Sequence, residues 1–171
     1  MKYFLIASLL VSLNWNQTPE PDDKHYVYFF LSEDCVICQS YTLVLNELHD
    51  QYAGEDIEFI GVFPNFSSKP NKIEAFRTKY KIPFELKTDY FHSLVDQFQI
   101  SVTPEVVIYH AAQDGVLYQG RIDNGFFRVG KRRRVTTTSE LADALEAIKN
   151  KQKIKTTRTE PIGCILSKKK F

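Results

Sequence analysis

EDCVICQS, residues 33–40, is the stretch that decides the fold, because it places two cysteines three positions apart directly after an apolar run. The preceding residues 25–32, HYVYFFLS, are mostly aromatic and β-branched, which is typical of a strand buried on both faces. Beyond the cysteines, apolar residues recur every three or four positions, which predicts a helix over about residues 35–52. Asp34 is the predicted N-cap, so we expect Cys35 in the first helical turn.

A cysteine at the start of a helix is a reactive thiol. The helix N-terminus supplies unpaired N–H groups and about half a positive charge, which favour thiolate over thiol. We expect Cys35 to be the exposed attacking thiol and Cys38, one turn deeper, to be the resolving thiol that clears a mixed disulfide. The carboxylates of Glu33 and Asp34 oppose this, since a nearby negative charge raises a thiol pKa. The spacing therefore predicts a redox pair without predicting its reduction potential.

Four other uses of closely spaced cysteines compete with redox chemistry. Covalent haem attachment requires a histidine directly after the second cysteine, and Gln39 stands there. Structural zinc requires two more ligands at matching spacing, which neither Cys164 nor the four histidines provide. A module that hands Cu(I) to a partner would use the same thiolates, but Met1 is the only methionine. The fourth use is two thiols packed in a core without chemistry.

The order of the predicted elements indicates an α/β fold. Further strands are predicted at residues 57–65, 84–87, 103–110 and 116–123, and further helices at 70–80, 91–98 and 139–149. AQDG, residues 112–115, is a hairpin turn signal, and Ser139 is the predicted cap of the last helix. This alternation, without internal repeats, predicts a central mixed sheet flanked by helices.

Length, charge and the N-terminal segment limit the class of protein. The chain has 171 residues, 43% of them hydrophobic, which suffices for one domain, expected over residues 20–150. Its 22 basic and 21 acidic residues nearly cancel, so the charge gives no indication of a nucleic acid or membrane partner. Residues 1–19 contain a lysine and an apolar run, typical of a secretory leader. We expect an extracytoplasmic protein, periplasmic or secreted, that meets the membrane only through an uncleaved leader and whose disulfides persist.

FFLSEDCVICQSY, residues 29–41, together with Thr103 and Pro104 before the strand EVVIYH, resembles the thioredoxin fold. The resemblance implies that Pro104 is cis and packs against the cysteine pair, while the Thr103 backbone binds an incoming peptide. A cis bond is accessible at low cost only before proline. Over residues 25–166, the segments IEFIGVFPN, PEVVIYHAAQDGVLYQGRIDN and TEPIGCIL resemble exported bacterial redoxins of the alkyl hydroperoxide reductase and thiol-specific antioxidant superfamily.

The resemblance implies a thiol-disulfide oxidoreductase that serves protein thiol and disulfide substrates and an upstream redox partner, without a cofactor or metal. The chain departs from the pattern at several positions. The buried acid of thioredoxin would fall on Phe29, which leaves the proton acceptor for Cys38 unidentified. At the peroxide-reacting motif of peroxiredoxins, Ser32 fits but Tyr28 replaces the proline, so thiol peroxidase activity is an alternative. Copper delivery is a further alternative function, although Sco-type copper chaperones have three residues between their cysteines and this chain has two.

The third cysteine lies in an apolar patch of a basic tail, residues 151–171. Pro161 and Gly163 in the patch PIGCIL allow a sharp turn. If the tail folds back over the helix start, Cys164 exchanges with Cys35 as a second resolving thiol or a cap. Otherwise Cys164 is a free or intermolecular thiol on a frayed terminus.

Two basic runs, residues 131–134 and 168–170, are predicted to be solvated surface. No aromatic platform is interleaved with them, so we expect no nucleic acid partner.

Overall fold

The computed structural model describes residues 23–166. The predicted leader, residues 1–19, and the lysine run at 168–170 lie outside the described residues. Within the described part, none of the helices combines the length and hydropathy that a membrane crossing requires.

The elements alternate much as the sequence predicts. In chain order they are β1 (His25–Phe30), α1 (Val36–Tyr52), β2 (Ile57–Phe63), α2 (Pro70–Tyr80), β3 (Glu85–Thr88), α3 (Ser93–Phe98), β4 (Val102–Thr103), β5 (Glu105–His110), β6 (Gly115–Gly120), β7 (Phe126–Arg128), β8 (Lys131–Arg132), α4 (Glu140–Lys149) and β9 (Cys164–Ile165). Five strands form the central sheet in the order β3-β2-β1-β5-β6. Strands β3, β2 and β1 run parallel to one another, whereas β5 is antiparallel to β1 and β6 is antiparallel to β5. This arrangement confirms the predicted α/β class with a mixed sheet.

Strand β1 lies in the middle of the sheet and buries side chains on both faces. Val27 and Phe29 face the larger core, which α1, α2 and α4 cover. Phe30 faces a smaller core on the opposite side, which includes Val95 and Phe98 of α3. A strand covered on both sides needs apolar residues at every position, which explains why this stretch shows little polar alternation.

The start of α1 corrects the predicted N-cap. The helix begins at Val36 with Cys35 as its N-cap residue, and no side chain caps it. Asp34 is exposed, and its carboxylate lies 3.6 Å from Lys72 Nζ, so it pairs with α2 instead of the first amides of α1. Ser139 does occupy the N-cap position of α4, but its side chain makes no cap hydrogen bond.

The predicted strand over residues 103–110 is interrupted near its start. The Thr103–Pro104 peptide bond is cis, as the resemblance implies, and it separates β4 from β5. Antiparallel β5 and β6 are joined by the turn at 111–114, which confirms the predicted hairpin. The short strands β7 and β8, which include part of the basic run at 131–134, are exposed apart from Phe126.

The tail is extended, as predicted, and its first half adds to the edge of the sheet at β6. The Gln119 backbone N–H donates to the Thr157 carbonyl over 2.9 Å, and the Thr159 N–H donates to the Gln119 carbonyl over 3.0 Å. Gly120 has a φ of +148°, and a Cβ there would lie 2.9 Å from the Thr159 carbonyl carbon. Glycine therefore permits both the backbone conformation and the close approach of the tail.

The end of the tail crosses to β4. Strand β9 pairs antiparallel with β4, with Thr103 opposite Cys164. The Leu166 N–H donates to the Ser101 carbonyl over 3.0 Å, and the Leu166 side chain is buried in the smaller core. The hypothesis of a frayed C-terminus is therefore wrong up to Leu166, because backbone pairing and apolar burial both hold the segment in place.

Helix α4 offers a test of the larger core. Leu145 is fully buried there, and we expect Leu145→Ala to lower the free energy of unfolding by about 2–5 kcal/mol, through lost apolar burial and a residual cavity. Leu43 of α1 is the matched control because its side chain is largely exposed; Leu43→Ala should change the value by no more than about 0.5 kcal/mol. Denaturant titration measures both, and equal losses would contradict the assignment of the core.

Candidate active site

Five residues singled out by the sequence come together in one place. Cys35 and Cys38 begin α1, Thr103 and Pro104 form the cis bond between β4 and β5, and Cys164 begins β9. The ends of β1 and β4 position them: β1 leads directly into α1, and the pairing of β4 with β9 places the tail beside the start of that helix.

The disulfide in this structure joins Cys35 to Cys164. The two residues are 129 positions apart in the chain, and their Cα atoms are separated by 6.3 Å. Cys35 is buried under the tail, so the expectation that it is exposed is wrong for this state. The remaining thiol is Cys38, and not Cys164 as it would be if the close pair were bonded.

Thr103 contacts all three cysteines. Its carbonyl oxygen lies 3.3 Å from Cys35 Sγ, a position that would accept a hydrogen bond from that sulfur once it is a thiol. Its hydroxyl donates a hydrogen bond to Cys38 Sγ. Its backbone lies opposite Cys164 in the β4–β9 pair. Thr103 therefore lies at the point where the three cysteines meet.

The Cys38 thiol is protonated over most of the pH range. Burial is the main cause that raises its pKa to about 12, since the side chain has no access to water that would solvate a thiolate. Hydrogen bonds from the Ser32 N–H, 3.4 Å from the sulfur, and from Thr103 partly offset this. The negative charge of Glu33 raises the pKa further. Cys38 needs a proton acceptor if it is to attack a disulfide at neutral pH.

Glu33 carries a buried carboxyl group beside the cysteines, a burial that its position in the sequence does not predict. The Ser68 hydroxyl donates to Oε2, and the Gln39 side-chain amide donates to the Glu33 carbonyl over 2.7 Å. Oε1 is buried and receives no hydrogen bond from the residues that the structure describes. The position of Glu33 directly before the cysteines is the sequence feature that indicates a role in the site. Its burial could not be predicted, because it depends on Ser68, which is distant in sequence.

Lys72 of α2 reduces the negative charge beside the cysteines. Its Nζ lies 3.6 Å from Glu33 Oε1 and 3.6 Å from Asp34 Oδ2. The two acidic residues that were expected to disfavour a Cys35 thiolate are thus partly compensated by one ammonium group.

Metal binding finds no further support among residues 23–166. No group of three or more histidine, cysteine, aspartate or glutamate side chains in that range is arranged to hold a metal ion.

Comparison with protein families and solved structures finds one family model and a set of structures of one fold that match the chain. The model of the AhpC/TSA family matches residues 15–136. Among curated proteins, none matches the chain.

Three solved structures illustrate the likeness. A hypothetical protein from Sinorhizobium meliloti is 21% identical, with 84% of this chain and 79% of that chain covered and a TM-score of 0.73. An uncharacterized conserved protein from Geobacillus kaustophilus is 19% identical, with 86% and 78% covered and a TM-score of 0.74. A secreted Mycobacterium tuberculosis disulfide oxidoreductase homologous to E. coli DsbE is 16% identical, with 73% and 82% covered and a TM-score of 0.53. At these identities the likeness shows the fold, which is thioredoxin-like, as predicted.

The burial of Cys38 predicts an unreactive thiol in the oxidised protein. A pKa near 12 in place of 9.0 lowers the thiolate fraction at neutral pH about a thousandfold, so native alkylation by iodoacetamide should be slower than in the unfolded chain by at least that factor. Mass spectrometry should find one alkylated cysteine after denaturation and three after reduction. The Cys38→Ser variant is the control and should show none before reduction. Fast alkylation of the native protein would contradict the burial.

Proposed function

The chain belongs to the AhpC/TSA family, and we propose that it is a thiol-disulfide oxidoreductase that exchanges disulfides with protein substrates. One observation carries the proposal: Cys35 is bonded to a cysteine in an extended segment that lies antiparallel to Thr103, while a second thiol, Cys38, sits one turn further along α1. A mixed disulfide with a substrate requires the same three parts, namely a bonded strand, a backbone that aligns it and a resolving thiol.

The chemistry proceeds through Cys35. In the reduced protein its sulfur lies at the N-terminus of α1, where helix amides favour the thiolate. The thiolate attacks a substrate disulfide, forms a mixed disulfide and releases one substrate thiolate. Cys38 then attacks Cys35 Sγ, which releases the second substrate thiol and forms the Cys35–Cys38 disulfide. The substrate gains two electrons, and an upstream dithiol partner returns them to the pair; substrate oxidation follows the same steps in reverse.

Cys164 gives Cys35 a second partner within the chain. Cys164 is bonded to Cys35, and Cys38 lies about one turn further along α1, so we infer that the oxidised protein has two disulfide isomers at the same oxidation level. Thr103 and Pro104 shape the groove in which either a substrate or the tail is held. We assign Cys164 the role of a second resolving thiol.

Glu33 supplies the missing proton acceptor. Its carboxylate is buried, it is close enough for its charge to raise the pKa of Cys38, and one of its oxygens has no hydrogen bond within the described residues. A carboxylate in this position can take the Cys38 proton, directly or through a water molecule, as the attack begins. The acid therefore comes from the turn between β1 and α1 in this chain and not from the β1 position that Phe29 occupies.

We place the protein outside the cytoplasm. A disulfide that links residues 129 positions apart persists best in an oxidising compartment, and the leader-like N-terminus is consistent with export. One similar structure is of a secreted disulfide oxidoreductase.

The roles of the first two cysteines are separable by substitution. Cys35→Ser should abolish insulin disulfide reduction, because it removes the nucleophile. Cys38→Ser combined with Cys164→Ser leaves no resolving thiol and should accumulate a Cys35 mixed disulfide that electrophoresis without reductant detects. Cys164→Ser is the matched control and should keep turnover. Insulin reduction that survives Cys35→Ser would contradict the proposal, as would hydroperoxide consumption faster than disulfide exchange, which would favour a thiol peroxidase.

The role of Glu33 as proton acceptor can be tested by comparing substitutions of Glu33 and of its exposed neighbour Asp34. In a Cys164→Ser background, a thionitrobenzoate group is placed on Cys35, and its release reports the attack by Cys38. Glu33→Gln should slow release at neutral pH by about a hundredfold, because the proton acceptor is lost. The deficit should shrink as the pH rises, because hydroxide takes the proton and loss of the Glu33 charge lowers the Cys38 pKa. Asp34→Asn also loses an ion pair with Lys72 but should leave the rate unchanged. Equal slowing in both variants at every pH would contradict this role.

A further inference from the structure

The tail occupies the groove beside the cis bond as a peptide substrate would. Val102 lies opposite Ile165 and Thr103 opposite Cys164 in an antiparallel ladder, and the Leu166 N–H donates to the Ser101 carbonyl. Backbone pairing of this kind fixes direction and register but does not choose between sequences. Any selectivity must come from the side chains that flank Cys164.

The position before Cys164 admits only glycine. A Cβ on Gly163 would lie 2.6 Å from the Thr103 carbonyl carbon and 3.1 Å from Pro104 N, and both are backbone atoms, which cannot move aside as the end of a flexible side chain can. A larger residue could be accommodated only if the strand moved away from β4, which would also move Cys164 away from Cys35.

The two positions after Cys164 differ sharply in their surroundings. The Ile165 side chain is 87% exposed, so the groove makes no demand on this residue. Leu166 is only 5% exposed and belongs to the smaller core with Phe30, Ile100 and Val107. Burying a leucine contributes favourable free energy that a polar residue would forfeit. The groove therefore reads an apolar side chain two residues after the cysteine.

We propose that the groove beside Thr103 selects protein segments of the pattern Gly-Cys-x-Leu, and that residues 163–166 are a built-in copy that substrates must displace. This rests on the proposed function, since it names the substrate class for the same Cys35. A substrate of this kind presents its cysteine in an extended segment with glycine before it and an apolar residue two positions after it.

The tail leaves the groove by an exchange that consumes no oxidant or reductant. Cys38 gives up its proton and attacks Cys35 Sγ, the Cys35–Cys164 bond breaks, and the Cys35–Cys38 bond forms. Cys164 leaves as a thiolate and takes up a proton from water. One disulfide replaces another, and the backbone of β4 becomes free to pair with a substrate segment.

Peptide disulfides test the pattern directly. In a Cys38→Ser, Cys164→Ser variant, Cys35 is the sole thiol, and it attacks a peptide whose cysteine carries thionitrobenzoate, so that release of the coloured anion gives the rate. The docked tail competes equally with every peptide and does not affect rate ratios. The peptide PIGCIL should react at least about tenfold faster than PIACIL or PIGCIS, whereas PIGCSL, changed at the exposed position, should match PIGCIL.

The same comparison applies within the chain. In the oxidised protein, Leu166→Ser should shift the ratio of Cys35–Cys164 to Cys35–Cys38 disulfide at least about tenfold toward the second, as mass spectrometry of blocked, unreduced digests measures. Ile165→Ser is the adjacent control and should leave the ratio unchanged.

The outcomes separate the pattern from the function it rests on. Equal rates for all four peptides, or equal disulfide ratios in both tail variants, would overturn the Gly-Cys-x-Leu pattern while leaving disulfide exchange intact. Failure of Cys35 to react with any peptide disulfide would overturn the proposed function together with the pattern.

Discussion

The site depends on the backbone of Thr103, which is the last residue of β4 and pairs with the tail strand β9. Its carbonyl faces Cys35, its hydroxyl donates to Cys38 and its strand pairs with Cys164. Disulfide exchange requires an attacking sulfur, a central sulfur and a leaving sulfur in one place. The three sulfurs come together beside Thr103, although two of the cysteines lie at the start of α1 and the third lies near the end of the chain.

The two possible partners of Cys35 are controlled by different physical effects. Burial keeps Cys38 protonated, so its attack requires a proton acceptor, the role that we propose for Glu33. Cys164 is held close by backbone pairing and by burial of Leu166, so its bond to Cys35 depends on how firmly the tail is docked. In the proposed mechanism, proton transfer governs the Cys35–Cys38 isomer, strand docking governs the Cys35–Cys164 isomer, and a substrate segment competes with the docked tail.

Local patterns in the sequence sufficed for the fold and for part of the site. The apolar run before Cys35 and the periodicity after it predicted β1 and α1, because both depend on neighbouring residues. The burial of Glu33 depends on its contact with Ser68, which is distant in sequence. The partner of Cys35 depends on the path that the tail takes along β6. Contacts between distant residues such as these leave no local signature in the sequence. The Asp34 cap was misassigned for the same reason, since Lys72 of α2 draws that side chain away.

The most direct measurement is disulfide mapping of the oxidised wild-type protein by mass spectrometry at neutral pH. We expect Cys35 in every intramolecular disulfide, bonded to Cys164 in the isomer seen here and to Cys38 in the other. A bond between Cys38 and Cys164, or chains linked to one another through Cys164 with Cys35 free, would contradict the convergence of the three sulfurs on Thr103.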